Sequence, residues 1–181
     1  MDDVSDWVRR HARLIPDGEV LDLACGGGRH VRALAALGHP VLALDVDPVA
    51  LAKAGGPGIV TLQQDLEQEG ALWPFEAGRF AGIVVTNYLH RPLMVDLLAS
   101  LAPHGVLIYE TFASGNALFG KPSNPAFLLQ EGELLDWASA QGLRIVAFEE
   151  GVLLRPKAAM VQRLCCAKPG FPRAAAFLAP F

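Results

Sequence analysis

Residues 20–47 read VLDLACGGGRHVRALAALGHPVLALDVD. The stretch opens on a short apolar run, Val20–Leu23, and breaks into three consecutive glycines. Apolar residues at helical spacing follow over Arg29–Leu37, Gly38 ends them, and a second apolar run occupies Val41–Asp45. A strand, a tight turn, a helix and a second strand predict one unit of a parallel α/β sheet. Glycines at the carboxyl end of the first strand tolerate a positive φ and leave backbone bare for a ligand. Asp22 stands just before them, and Cys25, Arg29 and His30 stand beside them.

The same alternation continues in both directions. Strands are predicted over Ile59–Gln63, Ile83–Thr86, Val106–Glu110, Ile145–Glu149 and Val161–Ala167. Helices are predicted over Pro48–Ala54, Pro92–Leu101 and Glu131–Ala140, with Asp47 as a natural cap before Pro48. An N-terminal helix over Ser5–Leu14 is expected, capped by Ser5 or Asp3. The early strands are almost continuously apolar, as strands covered on both faces should be. Two segments break the rhythm. Phe112–Gln130 is long and rich in Gly, Pro, Ser and Asn, the composition of a lid or substrate-binding loop. The tail Pro169–Phe181 is apolar and interrupted by proline, and its Phe171, Phe177 and Phe181 are expected to pack against something.

The chain has 181 residues, 52% of them hydrophobic, and a net charge of −4. That length suits a single domain with one core, spanning residues 1–181. An acidic balance without a Lys/Arg run argues against nucleic acid as a partner. No apolar run reaches the roughly 18 residues of a membrane span, and MDDVSDWVRRHARLIPDG lacks the order of a secretion signal. Three cysteines, Cys25, Cys165 and Cys166, fit a reducing compartment, so a cytoplasmic location is expected. Oligomeric state stays open, a homodimer included.

The glycine run alone admits several ligands. Gly26 and Gly28 begin a dinucleotide fingerprint, but Val31 stands where it needs a small residue. Asp22 would oppose a pyrophosphate and suits a ligand bearing an amine. No Gly-Lys-Ser/Thr follows, which removes the Walker loop.

VLDLACGGG resembles motif I of the class I S-adenosylmethionine (SAM)-dependent methyltransferases, acidic-x-G-x-G-x-G, with Ala24 in place of the first glycine. VLALDVD (41–47), Gln64-Asp65-Leu66 and IVVTNYL (83–89) resemble the motifs of strands two, three and four. The blocks NYLHRPL (87–93) and YETFASGNALFGKPSNPAFLL (109–129) are similar to those of small bacterial proteins of the tellurite-resistance and thiopurine-methyltransferase-like kind. The resemblance implies a Rossmann-like, doubly wound, mostly parallel seven-stranded sheet with helices on both faces and the last strand antiparallel. It implies SAM as cofactor and methyl transfer to a small-molecule acceptor.

It also implies roles. Asp22 would face the amino-acid end of SAM, and the backbone of Ala24, Cys25, Gly26 and Gly28 its methionine moiety. Asp45 would accept both ribose hydroxyls. Val46 would cover the adenine face, Asp65 would accept from its amino group, and the Leu66 N–H would donate to a ring nitrogen. Thr86 or Asn87 would meet the methionine amine or the substrate. Arg29 would reach the carboxylate of SAM. Each has a plainer reading: a tight turn for Gly26–Gly28, a turn residue for Asp65, a packing residue for Cys25, a solvated side chain for Arg29.

For chemistry on the acceptor, His90 has the right ordinary pKa for a base, and Tyr88 is its neighbour in the loop after strand four. Glu110 could be a base or a cap. Arg91, Lys121 and Arg155 could bind a substrate carboxylate or phosphate, and Phe112 and Phe119 could wall the pocket. His30 has no partner at ligand spacing, and no acidic cluster near strand four suggests a metal. Two rivals remain at this stage: a nucleotide-cofactor (NAD-type) oxidoreductase on the same fold, and a non-catalytic SAM-binding protein.

Overall fold

The computed structural model describes residues 4–176. In chain order the elements are α1 (Asp6–His11), β1 (Val20–Leu23), α2 (Arg29–Ala36), β2 (Val41–Asp45), α3 (Pro48–Ala54), β3 (Ile59–Gln63), β4 (Phe80–Thr86), α4 (Met94–Ser100), β5 (Leu101–Phe112), α5 (Glu133–Ala140), β6 (Arg144–Leu153) and β7 (Ala159–Ala167). The strands form one sheet in the order β3-β2-β1-β4-β5-β7-β6. Strands β1 to β5 pair in parallel, and β7 runs antiparallel to both β5 and β6. The strand order reverses between β1 and β4, and the crevice outside their carboxyl ends is where such sheets bind ligands.

Period-two alternation along the strands sorts side chains onto two faces. Leu21, Leu23, Leu42, Leu44, Ile83 and Val85 pack on one face beneath α4 and α5. Val20, Val41, Ala43 and Val84 pack on the other beneath α1, α2 and α3. By the same alternation Asp22 shares the second face and is wholly buried there.

The predicted elements occur with shifted ends. Ser5 caps α1, accepting from the Trp7 N–H at 3.1 Å, while the alternative cap Asp3 lies outside the described residues. α1 stops at His11 and a 3-10 turn carries Ala12–Leu14. Asp47 caps α3 through the Val49 N–H at 2.8 Å. Another 3-10 turn at Arg91–Leu93 precedes α4, and Leu101, read as its last residue, is extended and starts β5 opposite Phe80. The connection 64–79 between β3 and β4 contains no helix; Trp73, Phe75 and Phe80 stack edge to face and cover that flank.

The segment 112–130 is tied down along its length. Ala113 and Leu129 form an isolated bridge. Asn116 donates to the Pro122 carbonyl at 2.9 Å and accepts from the Met160 N–H at 3.0 Å. Leu128 and Leu129 are buried. In the tail, Phe171 is buried as expected, while Phe177 and Phe181 lie outside the described residues.

Candidate active site

The loop between β1 and α2 turns through positive φ at Ala24 (54°), Gly26 (52°) and Gly28 (74°). At Gly28 glycine is required twice over, because a Cβ would come within 2.6 Å of Ala54 on α3. At Gly26 a Cβ would meet nothing within 4 Å, so the bare backbone there faces open space. Ala24 adopts the same left-handed region with a side chain, a local strain.

Below this loop lies Asp22. Neither of its carboxylate oxygens has a hydrogen-bond partner. Burial pushes its carboxyl up to about 7; the Arg29 charge and the nearby Val31 N–H oppose the rise without completing a hydrogen bond, and Asp45 adds to it. An unsatisfied carboxylate under a turn with an open face favours a positive group placed on that turn. The α-amino group of SAM has that chemistry, so the residues present fit the cofactor.

Asp45 ends β2 and closes over the same turn. Its Oδ2 accepts the Gly26 N–H at 2.7 Å and its Oδ1 accepts the Asp47 N–H at 2.9 Å. Each oxygen retains a lone pair for a further donor. Asp65 accepts the Glu67 N–H at 2.9 Å, which holds the turn after β3 and leaves its second oxygen available. A cavity of about 120 Å³ lies here, lined by Ala24, Asp45, Val46, Asp65, Leu66 and Tyr88 among others. Five residues chosen from motif position alone thus converge on one small, largely apolar recess.

A second cavity, of about 810 Å³, opens on the other side of the turn after β4. Asn87, at φ 56°, lines the large cavity and the adjacent Tyr88 lines the small one. Its apolar wall includes Phe112, Phe119, Leu153 and Val161. Its polar lining includes Arg29, Glu110, Lys121, Arg155, Lys157 and Arg163. The N-terminal segment closes one side. Ser5 donates its hydroxyl to Glu110 Oε2 at 2.9 Å, and its N–H donates to His30 Nε2 at 3.2 Å.

Several candidate side chains turn out to be occupied. Glu110 Oε2 sits 2.8 Å from Arg163 Nε, an ion pair too far off line to count as a hydrogen bond. Arg163 also reaches Glu149 at 3.2 Å. Thr86 is buried and its hydroxyl contacts His30 Nδ1 at 3.3 Å, so it orients a histidine and lines neither cavity. Burial lowers that histidine to about 3, which keeps it neutral, and the Ser5 bond assigns the proton to Nδ1. Burial pushes the Cys25 thiol up to about 12, so it is inert as a nucleophile.

The geometry does not bring Arg91, His90 or Tyr88 to the large cavity. Arg91 donates to both oxygens of Glu133 at 2.6 and 2.8 Å and to the Ala126 and Leu128 carbonyls at 3.0 and 2.9 Å. It pins the long loop to α5. His90 Nδ1 is 3.8 Å from Glu67. Tyr88 is raised above its ordinary pKa by burial first and by Glu67 second, which keeps the phenol protonated. Lys121, Arg155, Phe112 and Phe119 do reach the cavity, as do Ser5, which the sequence marked only as a helix cap, and Lys157 and Arg163, which it did not single out. A basic Arg155-Pro-Lys157 between two strands was the available signal for Lys157.

Residues 20–105 match the family model of a methyltransferase domain. That span holds the glycine loop, Asp45, Asp65 and Asn87. No curated protein matches the sequence significantly. Among solved structures, a SAM-dependent methyltransferase from Methanosarcina mazei superposes with a TM-score of 0.69 at 16% identity, covering 92% of this chain and 99% of that one. One from Mesorhizobium loti gives 0.69 at 18% identity, covering 91% and 99%. TehB from Haemophilus influenzae gives 0.70 at 20% identity, covering 91% of this chain and 62% of that one. At these identities the superpositions speak to the fold, and the family model speaks to the chemistry.

Proposed function

We propose that this chain is a class I SAM-dependent methyltransferase, with S-adenosylmethionine as its cofactor, and that it methylates a small molecule held in the 810 Å³ cavity. The observation that carries the reading is the partnerless Asp22 carboxylate beneath a glycine turn whose backbone at Gly26 faces open space. In this reading Asp22 favours the cofactor's ammonium, and the Ala24–Gly28 backbone, Cys25 included, receives its amino-acid end. The free lone pairs of Asp45 take the two ribose hydroxyls. Val46 covers the adenine, Asp65 accepts from its amino group and the Leu66 N–H donates to its ring. Asn87 then stands beside the methyl to be transferred.

When bound, SAM would supply an electrophilic methyl on a sulfonium, with a neutral thioether as the leaving group. The chain's part is alignment and exclusion of water. Ser5, Glu110 and Arg163 lash the N-terminal segment over the cavity and hold its shape. The two carboxylates that line it, Asp6 and Glu110, are both committed to arginines, at 3.0 and 2.8 Å. No histidine lines it among the described residues. Acceptors that need no general base, thiols foremost, are therefore the expected substrates, ahead of amines and phenols. Methyl-labelled SAM offered with thiol, amine, phenol and carboxylate acceptors tests this. A labelled small-molecule product, strongest with thiols, is the expected result; SAM binding without turnover on any acceptor contradicts it and favours a non-catalytic SAM-binding role.

A further inference from the structure

The large cavity has a charge that the whole chain does not. Six basic residues line it, Arg9, Arg29, Lys121, Arg155, Lys157 and Arg163, against the two acids Asp6 and Glu110. Yet the chain carries a net charge of −4. The acids do not balance the excess. Asp6 is paired with Arg9 and Glu110 with Arg163. Arg29 is engaged elsewhere and acts on Asp22.

Lys121, Arg155 and Lys157 remain. None of them forms a hydrogen bond or an ion pair with any described residue. They come from two segments far apart in sequence, the loop after β5 and the hairpin between β6 and β7. The fold presses these segments together: a Cβ at Gly120 would lie 3.6 Å from Lys157 Nζ. Three like charges drawn to one rim without a counter-charge repel one another and attract an anion. Below them the wall is apolar, with Phe112, Phe119 and Leu153.

We infer that the methyl acceptor carries an anionic group, a carboxylate or a phosphate, held by Lys121, Arg155 and Lys157 while its apolar body lies against Phe112 and Phe119. This rests on the large cavity being the acceptor site. The charge at the rim then selects the substrate and fixes which of its atoms faces Asn87, since an anchored end leaves one end free to react.

Saturation-transfer NMR with matched pairs tests the inference. Benzoate is compared with benzamide, and phenyl phosphate with benzyl alcohol, each on the wild-type chain and on the exposed double variant Arg155→Gln/Lys157→Gln, with and without S-adenosylhomocysteine. The anionic member of each pair is expected to bind at least tenfold more tightly than the neutral one. That preference should be lost in the double variant, whose affinity for S-adenosylhomocysteine stays within twofold of wild type. The stronger of the two anions tells carboxylate from phosphate. Equal binding of charged and neutral partners, no binding of either anion, or an undiminished preference in the double variant overturns the inference. Absence of S-adenosylhomocysteine binding to the wild type would instead sink the placement of the cofactor, whatever the anions do.

Discussion

The small cavity is lined by residues at the carboxyl ends of β1, β2 and β3 together with Tyr88 after β4, all within 66 positions of one another in the sequence (residues 23–88). The large cavity draws on residues 4–163: the N-terminal segment, the ends of β4 and β5, the loop that follows β5 and the β6–β7 hairpin. In the first, short turns and backbone groups set the shape, and the side chains that matter are small or acidic. In the second, long side chains paired across the fold set the shape. A ligand common to a fold can be met by the first kind of construction. The second kind is free to vary and suits the partner that distinguishes one enzyme from another.

The sharpest way to break this division is at Asp22. Asp22→Asn keeps the shape and removes the charge, and the affinity for S-adenosylhomocysteine should fall about a hundredfold by calorimetry. Stability should move the other way. The folded carboxyl titrates near 7 against an ordinary 3.8, so the folded chain holds the proton more tightly than the unfolded one. Its contribution is complete below about pH 4 and is lost as pH rises through about 7, a change of at most roughly 4 kcal/mol. The variant should therefore melt above the wild type at pH 8, and the gap should close by pH 4. A variant that melts lower at pH 8 would contradict the account of Asp22.

Asp45→Ala comes next, with a ten- to hundredfold loss of affinity, about 1.5–3 kcal/mol for hydrogen bonds to a charged acceptor. Arg91→Met probes the other half. It frees Glu133 and the loop carbonyls of Ala126 and Leu128. Because the pair is partly exposed, the expected cost is about 1–2 kcal/mol, read as a lower Tm and faster proteolysis within residues 112–130. Cofactor affinity should stay within twofold, and a large loss there would show that the halves are coupled. The smallest effect is expected from Ala24→Gly. Relief of the positive φ slightly exceeds the extra backbone entropy of glycine, for a net gain of roughly 0.5 kcal/mol by thermal melt with cofactor affinity unchanged.

The same division explains what was legible in the sequence. The strands and helices were, because apolar periodicity and capping residues such as Ser5 and Asp47 are local signals. The placement of Asp22, Gly26, Asp45 and Asp65 was too, since each lies at or just beyond the carboxyl end of a strand that the periodicity gives. Long-range partners were not. Arg91 looked like a substrate ligand because it follows β4 next to a proline, yet its partner Glu133 lies 42 positions away. Glu110 looked like a base until Arg163 and Ser5 were found on it. The boundary between α4 and β5 also escaped, because Leu101 continues the apolar pattern of the helix while its backbone is already extended.

The most direct test of the two-cavity account is a calorimetric titration of S-adenosylhomocysteine into the wild type and Asp45→Ala at pH 8. One site per chain is expected in the wild type and at least a tenfold weaker one in the variant. Equal affinities would contradict it, because the carboxylate that closes the small cavity would then make no contact with the cofactor.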